Sequence, residues 1–200
     1  MGEHYFSAQP TVPDRRRTLL VQLAGRRLTV QTASGVFCPD RLDQGTAVLL
    51  GHAPPPPAAG DLLDLGCGWG PIALTLGLLS PEADVWALDT NQRALELTRT
   101  NAETAGAIRV RAVLPDAVPG QLRFAAIWSN PPVRVGKAAL HALLVRWLPR
   151  LDAGGTAYLV VQKNLGADSL HRWLETGLAG YVTDRYASDK GFRILRVARA

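Results

Sequence analysis

Two cysteines, Cys38 and Cys67, are all that this 200-residue chain contains. A disulfide-stapled secreted domain uses more, and no Cys or Cys/His pair has the spacing of a zinc site. Both are therefore expected as free thiols in a reducing cytosol, with no metal bound. Also missing is any apolar run near the roughly 20 residues that a membrane-spanning helix needs. Met1–Pro10 is polar and offers no apolar core for a secretory signal, so a cytoplasmic protein is expected. Lysine is scarce as well: of 22 basic residues only Lys137, Lys163 and Lys190 are lysine. A GC-rich coding sequence produces that skew to arginine equally well, so net charge says more about function than arginine content does.

The net charge is +5 and the pI about 9.7, a balance that favours polyanionic partners through phosphate attraction. Arg15-Arg16-Arg17 is the one dense basic run, and it reads equally as a nucleic-acid contact or as a solvated turn before a strand. With 47% hydrophobic residues, the chain can bury the core of one domain, or of one domain with a small appendage.

The stiff run Pro54-Pro55-Pro56-Pro57 divides the chain. Residues 1–57 are expected as an N-terminal extension and 58–200 as the main domain. Thr18–Leu23 and Arg27–Thr32 alternate apolar and polar residues around Ala24-Gly25-Arg26, a hairpin signal. Asp43–Leu50 reads as a short helix with Leu49 and Leu50 on its buried side and Gly51 as its stop. Beyond the prolines, strands are expected at Asp61–Leu65, Val85–Leu88, Arg109–Val113, Phe124–Trp128 and Thr156–Val161. Helices are expected at Pro71–Leu79, Gln92–Ala105, Lys137–Leu148 and Ser169–Leu178, with Gly154-Gly155 leading into the fifth strand. This alternation predicts a parallel sheet with right-handed crossovers. The last two strands, Tyr181–Asp184 and Phe192–Val197, are too close for a helical crossover and should pair antiparallel.

Asp64-Leu65-Gly66-Cys67-Gly68-Trp69-Gly70 closes the first core strand and opens a helix. Its glycines permit a tight turn and close approach of a ligand at the carboxyl edge of the sheet. A dinucleotide fingerprint would place its third glycine one residue later than Gly70, and Pro71 supplies no N–H to a pyrophosphate. A phosphate-free ligand carrying an ammonium and a sulfonium, S-adenosylmethionine, suits both the loop and the Asp64 carboxylate better. Asp89, 25 residues on, ends the next strand, where a carboxylate can accept both ribose hydroxyls. Asp89-Thr90-Asn91 can also cap the following helix. Asp116, after the third strand, either accepts from an adenine amine or belongs to the turn before Pro119-Gly120.

Ser129-Asn130-Pro131-Pro132 ends the fourth strand. The prolines hold the chain extended and remove two donors, which leaves the Asn130 side-chain oxygen and the Pro131 carbonyl as acceptors. Two acceptors suit a planar NH2 group and aim its lone pair at a methyl donor. Positive charge developing on that nitrogen would be stabilised by the same bonds.

On these motifs the chain resembles the class I methyltransferases of the small-domain type, as found in the small-subunit rRNA guanine-N2 methyltransferases. The likeness runs from about Gly35 to the C-terminus. It implies a Rossmann-like α/β fold with a seven-stranded sheet of order 3-2-1-4-5-7-6, strand 7 antiparallel, plus the short N-terminal hairpin and helix. It implies S-adenosylmethionine as donor, a base amine as acceptor and RNA, above all ribosomal RNA, as partner. Asp64, Gly66, Cys67, Gly68 and Gly70 then form the cofactor loop, with Asp89, Thr90, Asp116 and Asn130 also against the cofactor. Asn130, Pro131 and Pro132 form the catalytic loop. Gly35-Val36-Phe37 and Asp43-Gln44-Gly45-Thr46 are similar to the segment that closes over the cofactor, and His4-Tyr5-Phe6-Ser7 to the start of compact members.

Two departures stand out. Val133 occupies the place of an aromatic that stacks on the acceptor base in many amino-methyltransferases, which leaves Phe37 or Phe6 for stacking. The two-domain rRNA enzymes also carry a full N-terminal recognition domain where this chain has residues 1–57. Arg134 and Lys137 either hold a phosphate of the substrate strand or are solvated at a helix start. Cys67, with no base beside it, reads as a filler, and Trp69 as a shield for the ligand. The competing readings are an N-methyltransferase for a protein glutamine or DNA adenine, a non-catalytic RNA-binding module, and a nicotinamide oxidoreductase.

Overall fold

The computed structural model describes residues 12–199. Its elements are β1 (Arg16–Leu23), β2 (Arg26–Ala33), α1 (Gln44–His52), β3 (Asp61–Leu65), α2 (Pro71–Leu79), β4 (Asp84–Leu88), α3 (Gln92–Ala105), β5 (Val110–Val113), β6 (Phe124–Ser129), α4 (Lys137–Trp147), β7 (Leu151–Gln162), α5 (Ala167–Gly177), β8 (Tyr181–Asp189) and β9 (Phe192–Arg199). β3 to β9 form one sheet of order β5-β4-β3-β6-β7-β9-β8. Counted from β3, this is the expected 3-2-1-4-5-7-6. β9 runs antiparallel to both neighbours, and the remaining pairings are parallel.

The core strands are apolar along their length because helices cover both faces of the sheet. One face, with Leu63, Leu65, Phe124 and Leu159, packs against Leu144 and Trp147 of α4 and Leu170 and Leu174 of α5. The other, with Leu62, Val85, Ala126 and Val160, packs against Ile72 and Leu76 of α2, Leu95 of α3 and Val48 and Leu49 of α1. The β1–β2 hairpin adds a further layer, where Leu23, Val30 and Ala33 cover Leu74 of α2 and Leu97 of α3. Buried Asn101 of α3 staples it there: its Oδ1 accepts from Gln31 N at 2.7 Å, and its Nδ2 donates to the Gln31 and Trp69 carbonyls at 2.9 Å each.

Two of the boundaries that differ from expectation have a clear physical cause. α1 continues through Gly51 to His52, because Pro54 disfavours helical geometry at Ala53, which is extended at φ −61° and ψ 145°. Its buried face is carried by Gly45, Thr46, Val48 and Leu49, while Leu50 is only half-buried. β7 starts at Leu151 rather than Thr156. Gly154-Gly155 lies inside a bulge where the register jumps from Phe124↔Leu151 to Ala126↔Thr156. A Cβ at Gly155 would come within 2.9 Å of the Phe124 carbonyl, so only glycine fits the bulge.

Candidate active site

The glycine loop joins β3 to α2 at the carboxyl edge of the sheet. Gly66 N and Cys67 N both donate to the Leu88 carbonyl, at 2.9 and 2.8 Å, which folds the loop over the end of β4. Gly66, Gly68 and Gly70 have φ of 87°, 56° and 99°, values that favour glycine. Their surroundings differ. A Cβ on Gly66 or Gly68 would meet nothing within 4 Å, whereas one on Gly70 would lie 3.0 Å from Thr98 Oγ1. Gly70 lets α2 pack on α3, and Gly66 and Gly68 keep the outer surface of the loop bare. Pro71 takes the first turn of α2, as expected.

Asp64 is completely buried behind the loop. Its Oδ2 accepts from Ala73 N of α2 at 2.9 Å, and its Oδ1 has no partner among the described residues. Burial pushes its carboxyl well above the usual carboxylate range, and the Asp89 charge adds to the rise against the Ala73 N–H. Half-buried Asp89 ends β4 and accepts from Gly68 N and Asn91 N, both at 2.9 Å. Burial raises its carboxyl too, opposed by those backbone donors. Asp89 therefore braces the glycine loop. Thr90 is exposed. The helix-capping part falls to Asn91, whose Oδ1 takes Arg93 N while its Nδ2 ties the Gly35 carbonyl at 2.7 Å.

Asn130 follows β6, which Ser129 fastens to β3 through a 2.6 Å bond from its hydroxyl to the Leu65 carbonyl. The Asn130 Nδ2 donates to Asp43 Oδ2 at 2.7 Å and to Thr46 Oγ1 at 3.0 Å. Both amide hydrogens are thereby engaged, and the side chain keeps its carbonyl oxygen for a further donor. At Pro132, φ −74° and ψ 72° make an inverse γ-turn closed by Val133 N donating to the Pro131 carbonyl at 2.8 Å. One lone pair of that carbonyl is thus occupied and one remains.

Phe37, Cys38, Asp43, Thr46, Gly66, Cys67, Gly68, Trp69, Pro71, Ile72 and Asn130 line one cleft. It unites the loop before α1, the glycine loop and the Asn130 end of β6. Phe37, 45% exposed, stands at its rim. Burial, then the charges of Asp89 and Asp64, hold the Cys67 thiol well above its ordinary value, so it stays protonated. Trp69 is buried among hairpin and helix residues, so it supports the wall as packing. Asp116 lies outside the lining: its side chain is 90% exposed and ion-paired to Arg146 at 2.7 Å. Val133 is half-buried, and Arg134 and Lys137 are exposed just past the catalytic loop. Phe6 and the His4–Ser7 segment fall outside the described residues. His141 stacks on Trp173 with centroids 3.8 Å apart and so is engaged in packing.

Sequence reasoning did not assign Asp43 and Thr46 a chemical part. The signal was present in Asp43-Gln44-Gly45-Thr46, where an N-cap acid stands three residues before a threonine, but their partner is 87 residues away from Asp43. The Arg15–Arg17 run is also clearer. Arg16 pairs with Asp14 and Glu96, and Arg17 with Asp40, so two of its three charges are met within the chain. Among the described residues no cluster of His, Cys, Asp and Glu could hold a metal, and no helix is long and apolar enough to cross a membrane. Both cysteines are free thiols.

Residues 27–196 match the model of the family described as methyltransferase small domain. The protein YbxB of Bacillus subtilis is 36% identical over 178 residues, 88% of this chain and 89% of its own length. Ribosomal RNA small subunit methyltransferase C of Stutzerimonas stutzeri is 35% identical over 96% of this chain. The chain spans 57% of that relative, little more than half its length. Among solved structures, a T. thermophilus 16S rRNA N2 methyltransferase (RsmC) in complex with AdoMet and guanosine superposes with a TM-score of 0.76 at 23% identity. That match covers 96% of this chain and 52% of the other.

Proposed function

The chain belongs to the methyltransferase small domain family, and from that premise we propose that it moves the sulfonium methyl of S-adenosylmethionine to guanine N2 of ribosomal RNA. The observation that carries the reading is the single cleft that joins a bare glycine loop to an asparagine whose amide hydrogens are both engaged. S-adenosylmethionine, when bound, supplies the electrophilic methyl carbon. Its fit here rests on the open space at Gly66 and Gly68, the Asp89 carboxylate at the end of β4 and the unpartnered, buried Asp64 Oδ1.

The chain's own residues do the rest. Asp89 accepts the ribose hydroxyls while still holding Gly68 N. Asn130 Oδ1 and the free lone pair of the Pro131 carbonyl accept the two N–H bonds of the base amine. That fixes the nitrogen lone pair in line for attack, and it stabilises the positive charge that nitrogen gains as the new N–C bond forms. The surplus proton then passes to water. Arg134, Lys137 and, past β7, Lys163 are exposed and have no carboxylate partner among the described residues, which favours a phosphate-bearing substrate.

The test is transfer of labelled methyl to naked ribosomal RNA, free ribosomal subunits and total protein, followed by nucleoside and amino-acid analysis. The expected product is N2-methylguanosine. Label confined to protein glutamine would overturn the RNA assignment.

A further inference from the structure

We infer that Asp43 is a positioning residue for this transfer: its carboxylate locks the Asn130 amide so that only the carbonyl oxygen is left for the acceptor amine. The inference rests on the reading of Asn130 given above and extends it to a residue far away in the chain.

An amide nitrogen has two hydrogens, and the two acceptors beside Asn130 Nδ2 are Asp43 Oδ2 at 2.7 Å and Thr46 Oγ1 at 3.0 Å. An ionised carboxylate has only lone pairs to offer, so the opposite amide orientation would set the Asn130 oxygen against the Asp43 oxygen. A threonine hydroxyl alone could rotate to serve either orientation; the carboxylate cannot. The contact is also charge-assisted. Withdrawing an amide hydrogen toward a carboxylate shifts electron density onto the amide oxygen, and hydrogen bonds in such a chain strengthen one another. Oδ1 thereby becomes a better acceptor where the attacking nitrogen turns positive.

Asp43 is itself held rigidly. It is the N-cap of α1, extended at φ −61° and ψ 142°, and the same Oδ2 also accepts from Thr46 N at 3.0 Å. α1 is in turn fixed by Val48 and Leu49 in the core. Gly45 completes the arrangement, since a Cβ there would lie 2.9 Å from the Phe192 ring and 3.1 Å from Asp43 Oδ2. The segment before the core is thus part of the catalytic apparatus, and its acid acts through Asn130.

Asp43→Ser separates this part from helix capping, because serine caps well but is too short to reach Asn130. Asp43→Asn is the rescue: its amide oxygen can accept the same two donors without the charge. Thr46→Val, nearly isosteric, removes the second acceptor and leaves the cap intact. Three readouts are needed. One is affinity for S-adenosylhomocysteine by calorimetry. Another is single-turnover methyl transfer to ribosomal RNA at saturating donor. The last is hydrogen exchange of the Asn130 side-chain amide, followed by NMR with asparagine-selective 15N labelling.

Asp43→Ser is expected to hold S-adenosylhomocysteine within about twofold and to lose about tenfold or more in transfer, as for a weakened transition-state acceptor. It should also lose protection of the Asn130 amide. Asp43→Asn should regain most of the transfer, and Thr46→Val should show a smaller loss than Asp43→Ser. Unchanged transfer in Asp43→Ser, or a loss matched by an equal loss of S-adenosylhomocysteine affinity, would overturn the inference. Protection that is present in the wild type and lost in Asp43→Ser supports the lock even if the wild type methylates no RNA. That last result would sink the substrate assignment alone.

Discussion

Asp64 and Asp89 are carboxyls held above their usual range by burial, Asp64 the more. Folding takes up a proton at a carboxyl whose folded pKa is raised. Its contribution to stability is complete below the unfolded value and disappears as pH rises through the folded one. The ligand-free protein should therefore lose urea stability as pH climbs from the ordinary carboxylate range through the raised Asp64 range. In Asp64→Asn that component should vanish, and an identical slope in both proteins would contradict the assignment. The glycines separate in the same way. Gly70→Ala meets Thr98 at 3.0 Å and should lower stability. Gly68→Ala meets nothing within 4 Å, so it should cost only about 1 kcal/mol for its left-handed backbone. Calorimetry should show the larger loss of S-adenosylhomocysteine binding in Gly68→Ala, since a methyl there sits where the loop is otherwise bare. Asn130→Ala should leave that binding nearly intact and lower methyl transfer by about two orders of magnitude or more, the scale of a lost transition-state hydrogen bond.

The elements were legible because each follows a local rule. Apolar strands alternate with helices, and the turn at Ala24-Gly25 has the positive φ that a tight hairpin requires. The last hairpin was read only in part: β8 runs on from Asp184 to Asp189 and turns at Lys190-Gly191. Boundaries were misread where two punctuators compete. Gly51 was read as the stop of α1, although Pro54 disfavours helical geometry only at Ala53, two residues later. Gly154-Gly155 was read as a lead-in, although it forms a bulge whose fit depends on Phe124, a contact invisible along the chain. The Asn101 staple belongs to this scale too. Asn101→Ala leaves the Gln31 N–H and two carbonyls without their partner, so it should cost about 2 kcal/mol in urea unfolding. Faster exchange of the Gln31 amide should accompany the loss. Unaltered stability would show that the hairpin is held by its apolar face alone.

At the scale of the whole molecule, the fold could be read in advance, since strands and helices alternate along the chain. Of the cleft, the glycine loop and Asn130 stand out in the sequence, whereas Asp116, expected against the cofactor, lies exposed and outside the lining. Asn130 sits in a recognisable tetrapeptide, but its two anchors come from an N-terminal helix cap, and only the sheet order brings the two together. Ion pairs such as Arg93–Asp14, Arg109–Asp84 and Arg196–Asp184 each set one arginine against one acid, so they leave the net +5 unchanged and only show which arginines are engaged. Among the described residues, Arg134 and Lys137 have no carboxylate partner; both lie just past Pro132. If both meet substrate phosphates, alanine at either position should weaken RNA binding uniformly across sequences and reduce the salt slope of log affinity by about one. An unchanged slope would remove them from the interface.

On the proposed reading, donor and acceptor meet in the cleft between the glycine loop and Asn130, and a crystal structure with S-adenosylhomocysteine and guanosine would show whether they do. The predicted result is the sulfur beside Gly66–Gly68 and guanine N2 about 3 Å from Asn130 Oδ1. Ligands seated on separate faces of the protein, or a guanine whose N2 points away from Asn130, would contradict it.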